Sequence, residues 1–196
     1  MPYRWHGTPG PHRGKADADA FPGTHFDVHG TPKDIDGARD LAERDKYQFQ
    51  WWACSLVNAQ PFQGKKKGAD GGIDGLVYFQ DELKAHRKIV VSVKGGGHVG
   101  VSMVRDLMGV LEREKAEIGL FVTLAPPAQA MRGEAAKAGF YKSPTSPGGF
   151  PRLQILTVGG LLEGKEGPLY PDLSRGGLNF RKAKREEKMS EQKPLL

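Results

Sequence analysis

The chain has 196 residues, 38% hydrophobic and 27% charged, enough for one globular domain with further segments at its ends. Its formal net charge is +6, which favours an anionic partner, nucleic acid ahead of a membrane surface. A single cysteine, Cys54, excludes an internal disulfide and a cysteine-based zinc site, and no stretch approaches the ~18 apolar residues of a membrane span, so the expectation is a cytoplasmic protein.

Residues 1–34 are rich in Gly, Pro and His without helical or strand period, and read as an irregular extension. His25 and His29 have i, i+4 spacing, but Pro and Gly fence them and no Glu follows His25, which argues against a zinc helix. The next stretch, "DIDGARDLAERDKYQFQWWACSLVNAQ", predicts two helical pieces. Ala38, Leu41 and Ala42 mark the face of the first. Asp45 is the expected N-cap of the second, whose apolar face is Phe49, Trp52, Ala53, Leu56 and Val57. Trp51 and Trp52 read as core.

A basic, glycine-rich loop, "KKKGADGGIDG", follows. "LVYF" and "KIVVSV" are strands by their β-branched and aromatic content, joined by the charged turn "QDELKAHR". "VSMVRDLMGVLERE" predicts an amphipathic helix with Val101, Val104, Met108 and Leu111 on one face, and "IGLFVTL" a buried strand. "PPAQAMRGEAAKAG" predicts a helix opened by proline. "LQILTV" is a last short strand and "GLLEG" a helical turn. Residues 166–196 read as a basic, mixed-charge tail.

Asp74 begins one strand and Lys94 ends the next. Adjacent antiparallel strands lie ~4.8 Å apart, so an acid and a lysine at the same end of a hairpin can meet. An acid there can hold Mg²⁺ through hard oxygen, together with waters and a substrate phosphate. A lysine beside it can hold the scissile phosphate or influence the attacking water. The glycines around Asp74 read as room for a polyphosphate backbone.

"GGIDG" followed by a strand ending "VSVK" resembles the PD-(D/E)XK nuclease motif, and more narrowly the Mrr-like restriction endonucleases. The element order resembles that family's core, and residues 35–165 also resemble a domain at the C-terminus of some amino-methylating DNA methyltransferases. The resemblance implies an α/β restriction-endonuclease-like fold: helix, β-hairpin, helix, strand, helix, strand, with a mixed sheet flanked by helices. It implies a Mg²⁺- or Mn²⁺-dependent DNA endonuclease of a restriction-modification system, acting on double-stranded DNA. A methyltransferase partner and a homodimer are further implied partners. By position, Asp74 matches the metal-binding acid, Lys94 the catalytic lysine and Gln50 an auxiliary residue on the preceding helix. Ser92 stands where the family carries Glu or Gln, as a metal and catalytic position with a short neutral ligand. Asp70 is a candidate second acid, whereas Glu82 and Asp106 read as solvated surface charges. A second reading, motivated by Ser92 and Gln50, is a DNA-binding module whose catalytic site has decayed.

Lys65, Lys66 and Lys67 adjoin the site and read as phosphate contacts. His98 is a further DNA-contact candidate. Gly95, Gly97 and Gly100 form a G-x-G-x-x-G pattern between a strand and a helix. The next strand lacks the acid that would hold a ribose, and the preceding strand pairs in a hairpin, so a dinucleotide site is disfavoured.

Overall fold

A computed structural model describes residues 31–62, 71–82, 85–146 and 148–171. The first helix, α1 (Ile35–Arg44), begins where the Asp34 carboxylate accepts the Gly37 N–H at 2.8 Å. Asp45 then breaks the helical run. Its backbone is extended, and its side chain accepts the N–H groups of Tyr47 and Gln48, which starts α2 (Lys46–Leu56). The two pieces and the Asp45 cap are those expected from sequence.

The strands and helices that follow are β1 (Gln60–Pro61), β2 (Gly75–Glu82), β3 (Ala85–Lys94), α3 (Val101–Glu114), β4 (Ile118–Thr123) and α4 (Gln129–Ala136). The chain continues through β5 (Phe140–Lys142), β6 (Gly149–Pro151), β7 (Leu153–Thr157) and α5 (Val158–Leu162). A five-stranded mixed sheet runs β1-β2-β3-β4-β7. β1, β2 and β3 pair antiparallel, whereas β3, β4 and β7 are parallel.

Every residue of β4 is buried, which is why its sequence is a continuous apolar run rather than an alternating one. Two apolar layers cover the sheet. Phe49, Trp52 and Val57 pack on one face with Ile89, Val91 and Val93. Val104, Leu107, Leu111 and Met131 pack on the other with Val90 and Phe121. Each such side chain stabilises the fold by about 1.5–3 kcal/mol through burial. Trp52 is core and Trp51 half-buried. In α3, Leu107 and Val110 join Val104 and Leu111 in the buried face, with Val101 and Met108 at its margin.

The β2–β3 hairpin is longer than its sequence suggests. Most of the expected charged turn lies in strands, because its charges find partners. Asp81 is fully buried, and accepts from Arg87 Nε at 3.3 Å and from the Tyr141 hydroxyl. Arg87 also pairs with Glu117 at 3.3 Å. Tyr141 is held in a pushed-up titration range, by burial first and by its bond to Asp81 second. It stacks edge-on against Phe79, so the small β5–β6 sheet is fastened to the main one through a polar and an aromatic contact.

Residues 166–171, expected to begin a tail, are tied to the domain. Gln154 accepts the Leu169 N–H and donates to the Leu169 carbonyl, and Tyr170 packs on Phe79. Glu166 accepts the N–H and hydroxyl of Thr157. No helix among the described residues is long and apolar enough to cross a membrane.

Candidate active site

Asp74 stands where β2 begins. Its backbone N–H donates to the Val91 carbonyl at 2.9 Å, and its carbonyl accepts the Phe62 N–H at 3.0 Å. Its carboxylate also takes a ladder position, with Oδ2 accepting the Val93 N–H at 2.7 Å. The distance is that of a charge-assisted bond. The side chain is thereby pinned against β3, one residue before Lys94.

Side chains alternate along β3. Ile89, Val91 and Val93 enter the layer that contains α2, and Val90 enters the layer that contains α3. Ser92 and Lys94 share the parity of Val90. Ser92 is paired in register with Phe121 and is 4% exposed. Lys94 is half-buried at the end of the strand, paired with Thr123, and its carbonyl accepts the Leu124 N–H at 3.0 Å. The structure therefore brings Asp74, Ser92 and Lys94 to one end of the hairpin.

Gln50 is half-buried on α2. Its neighbour Phe49 packs on Gly95, where a Cβ would lie 2.8 Å from the Phe49 ring. That contact sets the first half of α2 beside the residue that follows Lys94. His98 is exposed in the loop after β3. Glu82 is partly exposed at the far end of the hairpin and pairs with Arg87 at 3.6 Å, and Asp106 is exposed on α3. Lys65, Lys66, Lys67 and Asp70 lie outside the described residues.

The glycines near Asp74 answer to the fold itself rather than to a phosphate. A Cβ on Gly75 would lie 2.8 Å from Cys54 Sγ, so α2 packs directly on the strand there. Gly71 and Gly72 have φ of 63° and 86°, the left-handed region a turn requires. The buried Cys54 thiol is pushed well above its ordinary range, by burial first and by the Asp74 carboxylate second. It therefore stays protonated and is no nucleophile.

Among the described residues no three His, Cys, Asp or Glu side chains cluster as a metal site. Asp74 offers a carboxylate and Ser92 a neutral oxygen. Mg²⁺ takes one or two carboxylates, several waters and substrate phosphates. This donor set fits a cation completed by substrate, not a closed protein cage.

β3 and β4 are parallel and joined through α3, so the strand before the glycine pattern does enter a crossover, contrary to expectation. The missing acid still argues against a dinucleotide, since β4 ends at Thr123. A pocket of about 250 Å³ opens at these strand ends, lined by residues 95–97, residues 124–126, and Arg39 and Glu43 of α1. Sequence reasoning did not find it. The i, i+4 spacing of Arg39 and Glu43 was readable, but only the tertiary fold sets them against a loop more than fifty residues away.

The restriction endonuclease family, of the Mrr catalytic type, matches residues 41–140. Among solved structures, the DNA modification-dependent restriction endonuclease AspBHI is similar at 18% identity with a TM-score of 0.48. The alignment covers 69% of this chain and 35% of that one, so this chain spans about a third of that protein's length. No protein of curated function matches the chain.

Proposed function

The chain belongs to the Mrr-type restriction endonuclease family, and on that premise we propose that it hydrolyses phosphodiester bonds of double-stranded DNA with a divalent cation, Mg²⁺ or Mn²⁺. The observation that carries this reading is the 2.7 Å bond from the Val93 N–H to Asp74 Oδ2, which fixes a carboxylate beside the strand that ends in Lys94. Asp74 would hold the cation, with the Ser92 hydroxyl as a weaker oxygen ligand, direct or through water. When bound, the cation would neutralise phosphate charge and lower the pKa of a bound water. Lys94 would donate to a non-bridging oxygen of the scissile phosphate, where negative charge builds during attack. Gln50 would orient water or phosphate with its neutral amide. Lys65, Lys66, Lys67 and His98 would contact phosphates.

A second reading keeps the DNA and drops the chemistry: a decayed module working beside a DNA methyltransferase. It is favoured by Ser92, a buried neutral side chain at the position where a second acid would serve the metal. One experiment separates the two. Methylated and unmethylated plasmids are incubated over a range of Mg²⁺ and Mn²⁺ concentrations with the wild type, Asp74→Asn and Lys94→Ala. Nicking by the wild type alone supports the nuclease. DNA binding without cleavage at any metal concentration supports the decayed module.

A further inference from the structure

We propose that α1 and the loop after β3 form a subsite that reads one base edge of the bound DNA, with Arg39 donating to the base and Glu43 accepting from it. This rests on the nuclease reading above. The pocket adjoins Lys94 on two sides. Gly95 follows Lys94 in the chain, and Leu124, which also lines the pocket, donates its N–H to the Lys94 carbonyl. A group seated there lies beside the Lys94 backbone, at the strand end where the scissile phosphate would be held.

Three consecutive glycines line this pocket, and the fold explains only the first. Gly95 is required because a side chain would strike the Phe49 ring and Ala42. Gly96 and Gly97 do not have positive φ, and a Cβ on either meets nothing within 4 Å. Neither conformation nor internal packing calls for glycine at these two positions. Glycine without an internal reason marks a place where something from outside approaches the backbone closely.

Charge decides between a phosphate and a base as the visitor. α1 carries Asp36, Asp40 and Glu43 against Arg39 and Arg44, so its net charge is −1. Arg39 Nη1 already bonds Asp36 at 2.9 Å, and Arg44 pairs with Asp40 at 3.2 Å. A phosphate entering the pocket would meet the Glu43 carboxylate with little positive charge to offset it. A base edge presents donors and acceptors together, and suits an Arg–Glu pair one helical turn apart. Adenine offers both on one major-groove edge, N7 to accept from Arg39 and N6–H to donate to Glu43. Arginine's five N–H donors leave several available beyond the Asp36 bond.

The test uses a duplex library randomised around the binding site, with binding measured in Ca²⁺ and cleavage in Mg²⁺, for wild type, Arg39→Ala, Glu43→Gln, Gly96→Ala and Gly97→Ala. All four side-chain positions are exposed, so the variants should fold with unchanged melting temperature. The wild type should prefer one base at one position, and Arg39→Ala and Glu43→Gln should each relax that preference by about 5–150-fold. The slope of affinity against salt should stay unchanged. Gly96→Ala and Gly97→Ala should weaken binding to the preferred sequence. If Arg39→Ala instead weakens all sequences equally and lowers the salt slope by about 1, the residue is a phosphate contact and the base-reading proposal falls. It falls equally if base preference is untouched by every variant. A wild type that binds no DNA overturns the nuclease reading itself, and this inference with it.

Discussion

Asp74→Ala removes two things at once, and a companion Asp74→Asn separates them. Hydrogen bonds to charged groups contribute about 1.5–3 kcal/mol. The Val93 N–H that donates to Asp74 belongs to a residue only 2% exposed, so alanine would leave a donor unpaired where water reaches poorly. The expected cost is about 2 kcal/mol, or about 4–8 °C in melting temperature for a protein of this size. Asparagine keeps an acceptor for that N–H and loses only the charge, so its cost should be about 1 kcal/mol. Cleavage should vanish in both variants, because a neutral amide is a poor Mg²⁺ ligand. Urea unfolding followed by circular dichroism gives the first quantity, and plasmid nicking gives the second. An Asp74→Ala protein as stable as wild type would show that the ladder bond contributes little. An Asp74→Asn protein that cleaves at the wild-type rate would remove Asp74 from the chemistry.

Lys94→Ala should leave stability within about 0.5 kcal/mol and lower the cleavage rate by about 100–1000-fold, in line with loss of one donor to the reacting phosphate; equal losses in stability and rate would make it a structural lysine. Hydrogen bonds from Arg105 and Lys137 hold the Glu134 carboxyl at about 2, down from its ordinary 4.5. Its folded-state value is depressed, so its stabilising effect is complete above about pH 4.5 and fades as pH falls towards 2. The melting-temperature gap between wild type and Glu134→Gln should close over that window, and a gap independent of pH would contradict the assignment. Cys54 should resist alkylation at pH 8 in the native protein and react on unfolding; rapid native labelling would show that α2 opens readily from β2.

What could be read from sequence was local, and what could not was tertiary. The helix break at Asp45 was legible because an aspartate between two periodic runs can only start the second by capping it. β4 was legible because the unbroken run Ile118–Val122, with no polar side chain, suits a strand covered on both faces. The true length of the hairpin was not, since Asp81 is tolerated in the core only through Arg87 and through Tyr141, sixty residues on. The ordering of residues 166–171 depends likewise on Gln154, whose side-chain amide clasps Leu169 as a strand neighbour would. At the candidate site, the spacing of Asp74 and Lys94 pointed to one end of a hairpin. The Val93 N–H that holds the carboxylate there is a matter of register, which the spacing alone does not define. Gly75 shows the opposite case, a motif glycine whose reason is Cys54 rather than substrate.

A site with one described carboxylate should bind its metal and its DNA together. Mg²⁺ favours six oxygen ligands in octahedral geometry. Asp74 and Ser92 would fill two positions at most, and Asp74 Oδ2 already accepts from Val93. Waters and phosphate oxygens must supply the rest. Mg²⁺ affinity measured by calorimetry on the protein alone should therefore be weak, and should rise when an uncleavable phosphorothioate duplex is present. Linkage then requires DNA affinity to rise with Mg²⁺ by the same factor. Asp74→Asn should abolish the mutual enhancement while leaving metal-free DNA binding in place, since the amide still closes the β2–β3 ladder. Tight Mg²⁺ binding without DNA would mean that further carboxylates complete the site. Equal DNA affinity with and without Mg²⁺ in the wild type would mean that the cation does not bridge Asp74 to phosphate, and the hydrolytic role given to Asp74 would not stand.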